Sequence, residues 1–273
     1  MKQVINRLFG LIERKLTARW FNPFATLYLN FRTMPLRVAY RLPIYVYGRV
    51  KYYNLNGSIE FNCEVRRGMV KMGRHDDNYT LSPFGELYID KSSKIIFSGY
   101  CSVSAGYIWK VWTGGILHIG NMNSFGSSCT IICSNNVTIG NCNRIAFNSL
   151  IMDTNSHYTI NLNNFQVKRT EGKVEIGDKN WIGNNSRLNK GCRIGSGCLV
   201  GASSTVNKNF LQCKNVLLAG TPAVVKFEGI TRCFSYAIEK EISTFFNKHP
   251  DTDTMILDEN YTDPVEDTIK FFK

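Results

Sequence analysis

The chain has 273 residues, 44% hydrophobic and 20% charged, the balance of a globular protein large enough for one or two domains with a real core. No apolar run reaches the roughly 18–20 residues needed to cross a bilayer, which excludes a helical membrane span. Nine cysteines at scattered spacings argue against a disulfide framework, and with no secretory leader read in the sequence a reduced, cytoplasmic setting is expected.

The net charge of +12 is unevenly spread. Residues 1–50 carry nine basic residues against Glu13 alone, whereas residues 231–273 carry five basic and nine acidic ones. A basic leading segment suits anionic lipid or an acidic glycan. No nucleic-acid motif accompanies it, and a nucleic-acid partner is not expected. Val4, Ile5, Leu8, Phe9, Ile12 and Leu16 fall on one helical face, which suits a helix packed on the protein or one resting on the inner face of a membrane. Pro23, Pro35 and Pro43 break the rest of residues 1–55 into short helical pieces, so this segment reads as a basic cap.

From 56 to 226 the chain is rich in Val, Ile, Gly, Asn and Ser. In "VEIGDKNWIGNNSRLNKGCRIGSGCLVGASSTV" an aliphatic residue falls at every sixth position: Ile176, Ile182, Leu188, Ile194, Val200 and Val206. The same beat runs through Ile119, Phe125 and Ile131, and through Ile139, Ile145 and Ile151. A strand repeats every two residues and a helix every 3.6, so neither sustains a period of six. One short strand plus a tight turn does, as one side of a triangular coil with the aliphatic residue pointing inward. Stacked coils then pair as parallel strands, with small residues and Asn at the corners. The segment "DTNSHYTINLNNFQVKRTEGK" (153–173) has no beat and reads as a loop thrown out from a corner. Cys129, Cys133, Cys192 and Cys198 lie on or near the beat and read as small core residues, not metal ligands. Residues 227–273 read as an amphipathic helix ending near His249-Pro250, followed by an acidic tail.

The repeats resemble the hexapeptide-repeat acyltransferases. That resemblance implies an all-β solenoid, a left-handed parallel β-helix with short helical extensions at both ends. It also implies a homotrimer with acetyl-CoA as acyl donor and no metal. The pattern Asp153-x-x-x-His157 in the interrupting loop looks like the polysaccharide O-acetyltransferases of that family, which makes His157 the general base. Asp153 and Asn155 then suit orienting it or holding hydroxyls of the acceptor sugar, and Ser128 falls where sugar acetyltransferases of the family often place a substrate-binding Asn. An imidazole is the side chain suited to taking a proton from a sugar hydroxyl near neutral pH. Asp153 and Asn155 equally suit the turning of a corner. By the same resemblance Trp181, Gly183, Ala202, Ser203, Asn207, Lys208 and Thr221 belong to the coenzyme groove, although the cation expected just after Pro222-Ala223 is displaced to Lys226.

The expected activity is O-acetylation of a sugar in surface polysaccharide synthesis, in the cytoplasm or at the inner face of the membrane. An N-acetyltransferase of an amino sugar, a serine acetyltransferase, a γ-type carbonic anhydrase and an inert solenoid scaffold are the alternatives. The carbonic anhydrase needs three histidines per zinc, and only His118 and His157 lie within the repeats.

Overall fold

The computed structural model describes residues 20–75, 81–258 and 272, so the helical face expected over residues 1–19 lies outside the described residues. Short strands wind into a three-sided prism. Its first face stacks nine strands from Ile44–Val46 to Ala223–Glu228. The second face stacks seven, from Arg49–Leu55 to Thr205–Val206, and the third stacks seven, from Ser58–Phe61 to Asn209–Phe210. Within the coils all pairing is parallel, and only the last strand of the first face turns back antiparallel on Val216–Gly220.

The six-residue beat is the inward register of this prism. Ile145, Ile182, Val200 and Leu218 stack on the first face, and Ile131, Ile151, Leu188 and Val206 on the second. Ile139, Ile176 and Ile194 do so on the third. All are buried. In earlier coils Trp109, Phe125 and Phe97 continue the inward columns of the second, first and third faces. The nine cysteines are free thiols, and five of them, including Cys129, Cys133, Cys192 and Cys198, are buried. Burial pushes the Cys192 thiol up to about 12, so it behaves as a small apolar side chain.

The corners follow a rule of their own. On the edge between the first and second faces, Gly106, Ser128, Asn148, Asn185 and Ser203 all have positive φ. The amide of each non-glycine residue among them donates to a carbonyl of the preceding coil: Ser128 to Ala105, Asn148 to Ser127, Asn185 to Phe147 and Ser203 to Asn184, at 2.8–3.1 Å. Met122, Cys142, Lys179, Gly197 and Asn215 repeat this between the third and first faces. Left-handed backbone is costly for most side chains, so Asn, Ser and Gly recur there. Behind that edge a buried ladder links coils: Asn143 N donates to Asn123 Oδ1, Asn180 N to Asn143 Oδ1 and Cys198 N to Asn180 Oδ1, at 2.7–2.9 Å.

The prism begins at Ile44, not at 56 as the sequence suggested. Ile44–Val46 and Arg49–Leu55 already pair with the second coil, and their Tyr-rich composition hides the beat. Before them α1 (Pro23–Thr33) and α2 (Leu36–Ala39) are separated by Pro35, and Pro23 opens α1. They close the open end of the first coil. After the prism, α3 (Tyr236–Lys248) starts at the Ser235 cap, whose hydroxyl accepts from Ile238 N, and stops at His249.

Neighbouring residues on one strand separate core from surface. Leu188→Ala is expected to cost about 2–5 kcal/mol in urea unfolding, while Arg187→Ala beside it stays within about 0.5 kcal/mol.

Candidate active site

The chain leaves the prism after Met152, at the edge between the second and third faces, and returns at Val174. The excursion is an irregular antiparallel hairpin with bridges at Thr154–Glu171 and Ile160–Val167. Its root is fastened to the coils on both sides. Gly172 N donates to Asp153 O at 2.8 Å, Asn155 N to Thr170 O at 3.0 Å and Gly191 N to Gly172 O at 3.3 Å, and Lys190 Nζ donates to Arg169 O. Beyond the root every residue from 155 to 169 is exposed.

His157 stands on this hairpin just past the root, with an exposed ring. Its amide donates to Asn155 O at 2.7 Å across Ser156, which has φ +62 and whose own amide donates to Thr154 Oγ1. Asn155 therefore positions the backbone of His157.

Asp153 does not serve the acceptor. It is fully buried, and its carboxylate accepts from the amides of Ser134, Asn135 and Asn136, each at 2.8 Å. The corner of the coil below turns around it, because three adjacent amides leaving a strand need an acceptor and a buried carboxylate supplies one. Ser128 is likewise taken up by the frame. It is buried at a corner, and its hydroxyl accepts from Leu81 N at 2.8 Å, pinning a segment remote in sequence.

The expected coenzyme residues divide between two edges. Asn207 and Lys208 are exposed on the edge that carries the His157 hairpin, two coils farther along, or about 10 Å at one strand spacing per coil. Ala202 and Ser203 are exposed on the edge between the first and second faces, with Thr221 beside them, its hydroxyl 3.5 Å from Ser203 O and 3.4 Å from Thr205 Oγ1. Gly183 is not a surface group. Its amide is given to Val200 O, and a Cβ there would lie 2.7 Å from Ala202 N, so the next coil requires glycine. Trp181 is half exposed on the first face, with the Arg232 guanidinium 5.9 Å from its ring.

Two features had no clear sequence signal. Lys190, on the corner above the loop, ties the hairpin down. On the first face, a cavity of about 270 Å³ lies among Ser124, Arg144, Arg232, Phe234, Glu239 and Phe272. Burial, and then the neighbouring Arg232, hold Arg144 down at about 10 there. This cavity is on a different face from the His157 edge. His118 is half-buried on the third face, bonded to Ser98 Oγ at 2.7 Å. Among the described residues no three His, Cys, Asp or Glu side chains gather as a metal site.

Residues 173–208 match the family model of the bacterial transferase hexapeptide (six repeats). The matched stretch is the array of short coils from Val174–Ile176 to Thr205–Val206. The fold around this array is a left-handed parallel β-helix. No curated protein matches the chain. Among solved structures it is similar to the polySia-specific acetyltransferase NeuO, at 16% identity over 76% of this chain and 99% of that one, with a TM-score of 0.49. It is also similar to the polysialic acid O-acetyltransferase OatWY, at 21% identity over 81% and 86%, with a TM-score of 0.39. A third is AntD, an N-acyltransferase from Bacillus cereus in complex with dTDP and 3-hydroxybutyryl-CoA, at 15% identity over 77% and 89%, with a TM-score of 0.37.

The role of Asp153 in the frame is read out in stability. Asp153→Ala is expected to lose about 3 kcal/mol of stability, since it orphans three buried-side donors to a charged acceptor, with the loss read as a fall in the urea midpoint.

Proposed function

We propose that the protein is an acetyl-CoA-dependent O-acetyltransferase. It acts on a sugar hydroxyl in surface polysaccharide synthesis, works in the cytoplasm, and completes its sites as a homotrimer. The observation that carries this reading is an exposed imidazole on a hairpin that is clamped at its root to a prism of hexapeptide coils.

In this reading the His157 imidazole takes the hydroxyl proton as the sugar oxygen attacks the thioester carbonyl. The tetrahedral intermediate collapses, the C–O bond remains and the C–S bond breaks. The departing coenzyme A thiolate then recovers the proton from the imidazolium. Lys208 offers a cation to the donor's phosphates on the His157 edge. Ala202, Ser203 and Thr221, on the other edge, suit the donor's pantetheine arm in the groove of a neighbouring copy.

Support for a shared groove comes from the hairpin itself. Leu162 and Phe165 are each 78% exposed, and Tyr158, Ile160 and Val167 are exposed beside them. A contiguous apolar surface of this kind on a protruding loop calls for a covering partner. A second copy supplies one and at the same time brings the two halves of the coenzyme groove together.

The test follows free thiol release from acetyl-CoA with hydroxyl and amino-sugar acceptors, polysialic acid among them. His157→Ala is expected to lower kcat about 10²–10⁴-fold at an unchanged unfolding midpoint; full turnover by that variant removes the base assignment. Leu162→Asp combined with Phe165→Asp is expected to reduce the mass in light scattering from three chains to one and abolish turnover. A monomer with wild-type turnover contradicts the shared groove.

A further inference from the structure

The helix that closes the prism is inside out. The face of α1 turned to the coils carries Thr26, Asn30 and Thr33, all buried, alongside Ala25 and Leu29. Their polarity has a definite use, since the first coil has no coil below it and its edge strand needs partners. Asn30 Nδ2 donates to Ile44 O at 2.8 Å, Ile44 N donates to Asn30 Oδ1 at 3.2 Å, and Val46 N donates to Thr26 Oγ1 at 3.0 Å. Tyr52 reaches across from the second face to donate to Ala25 O at 3.1 Å.

The opposite face is apolar and open. Phe24 is 84% exposed, and Leu27, Tyr28 and Phe31 are exposed along the same side. The patch continues onto α2 through the Phe31–Tyr40 ring contact at 5.9 Å, with Tyr40 75% and Leu36 69% exposed. A solvated surface helix has the reverse arrangement. Exposed aromatic and aliphatic area on this scale, collected at one end of the molecule, marks an interaction surface.

Charge identifies the occupant. From residue 20 to residue 59 the sequence holds no Asp or Glu, but it holds Arg32, Arg37, Arg41, Arg49 and Lys51. All five are exposed. Aromatic and leucine side chains flanked by Arg32, Arg37 and Arg41 match the headgroup zone of an anionic bilayer; the carboxylate near them, Glu64 beside Arg41, is already paired with Arg66 at 2.8 Å. The opposite end of the chain, residues 231–273, has the opposite charge.

We propose that the α1–α2 end face docks the prism on an anionic membrane surface, with its axis standing away from the bilayer. The face sits flat in the interface: Phe24, Leu27, Phe31 and Leu36 enter the acyl boundary and the arginines meet lipid phosphates. Residues 1–19 are not needed for this contact.

The experiment is co-sedimentation of the full chain with vesicles of phosphatidylcholine, with and without phosphatidylglycerol. Binding to the anionic vesicles, weakened by added salt, is expected. Arg37→Gln with Arg41→Gln is expected to weaken it about 30-fold, at roughly five- to sixfold per charge. Phe24→Ser with Leu36→Ser, which leaves residues 1–19 intact, is expected to weaken it at least as much, with turnover on a soluble acceptor unchanged. Undiminished binding by the Phe24/Leu36 variant overturns the proposal. So does equal binding to both vesicle types, or a fall in assembly mass for that variant in light scattering, which would make a second copy the occupant.

Discussion

The structure depends on one residue at each corner of two of its three edges standing in the left-handed region with its amide bonded one coil down. At Ser128, Asn148, Asn185 and Ser203 this single contact turns the chain through the corner and sets the height of the next coil. Parallel strands only two or three residues long have too few ladder bonds to fix their own register. The corner bonds supply the missing constraint, and the aliphatic columns inside then meet without slipping. Gly183 shows how closely the coils approach, since even a methyl group there meets the backbone of Ala202.

A frame held this way is rigid and repetitive, so anything that departs from it stands out. Two departures matter. The first is the hairpin that holds His157 away from the coils on the edge it shares with Lys208. The second is the closure of the first coil by α1. Each spends side chains in ways a solenoid does not otherwise need: exposed Leu162 and Phe165 in one case, buried Thr26 and Asn30 in the other. Both departures face outward, and both leave apolar area uncovered in a single chain.

Most of the frame was legible in the sequence because its signal is local and periodic. Ile176 through Val206 keep step every six residues, and every one of them points inward. The interruption at 153–173 was legible for the same reason, as a break in the beat. What the sequence hid was the long-range geometry. Asp153 lies four residues from His157, but the amides it binds come from Ser134 to Asn136, and no spacing rule announces that. Ser128 is claimed by Leu81, 47 positions away. The first coil escaped notice because Tyr45, Tyr47, Tyr52 and Tyr53 blur its alternation. The inversion of α1 is visible only once its partners, Ile44 and Val46, are in place.

The buried carboxylate at Asp153 has a further consequence. It anchors the outgoing end to the coil below, and Gly191 and Lys190 hold the returning side from the coil above. The bonds of Gly172 to Asp153 and of Asn155 to Thr170 tie the two arms together, so the stretch between them bears no part of the scaffold's weight. Insertions, deletions and wholesale exchange within that stretch leave the prism intact. The surface that the hairpin presents can therefore change while the coils keep their register.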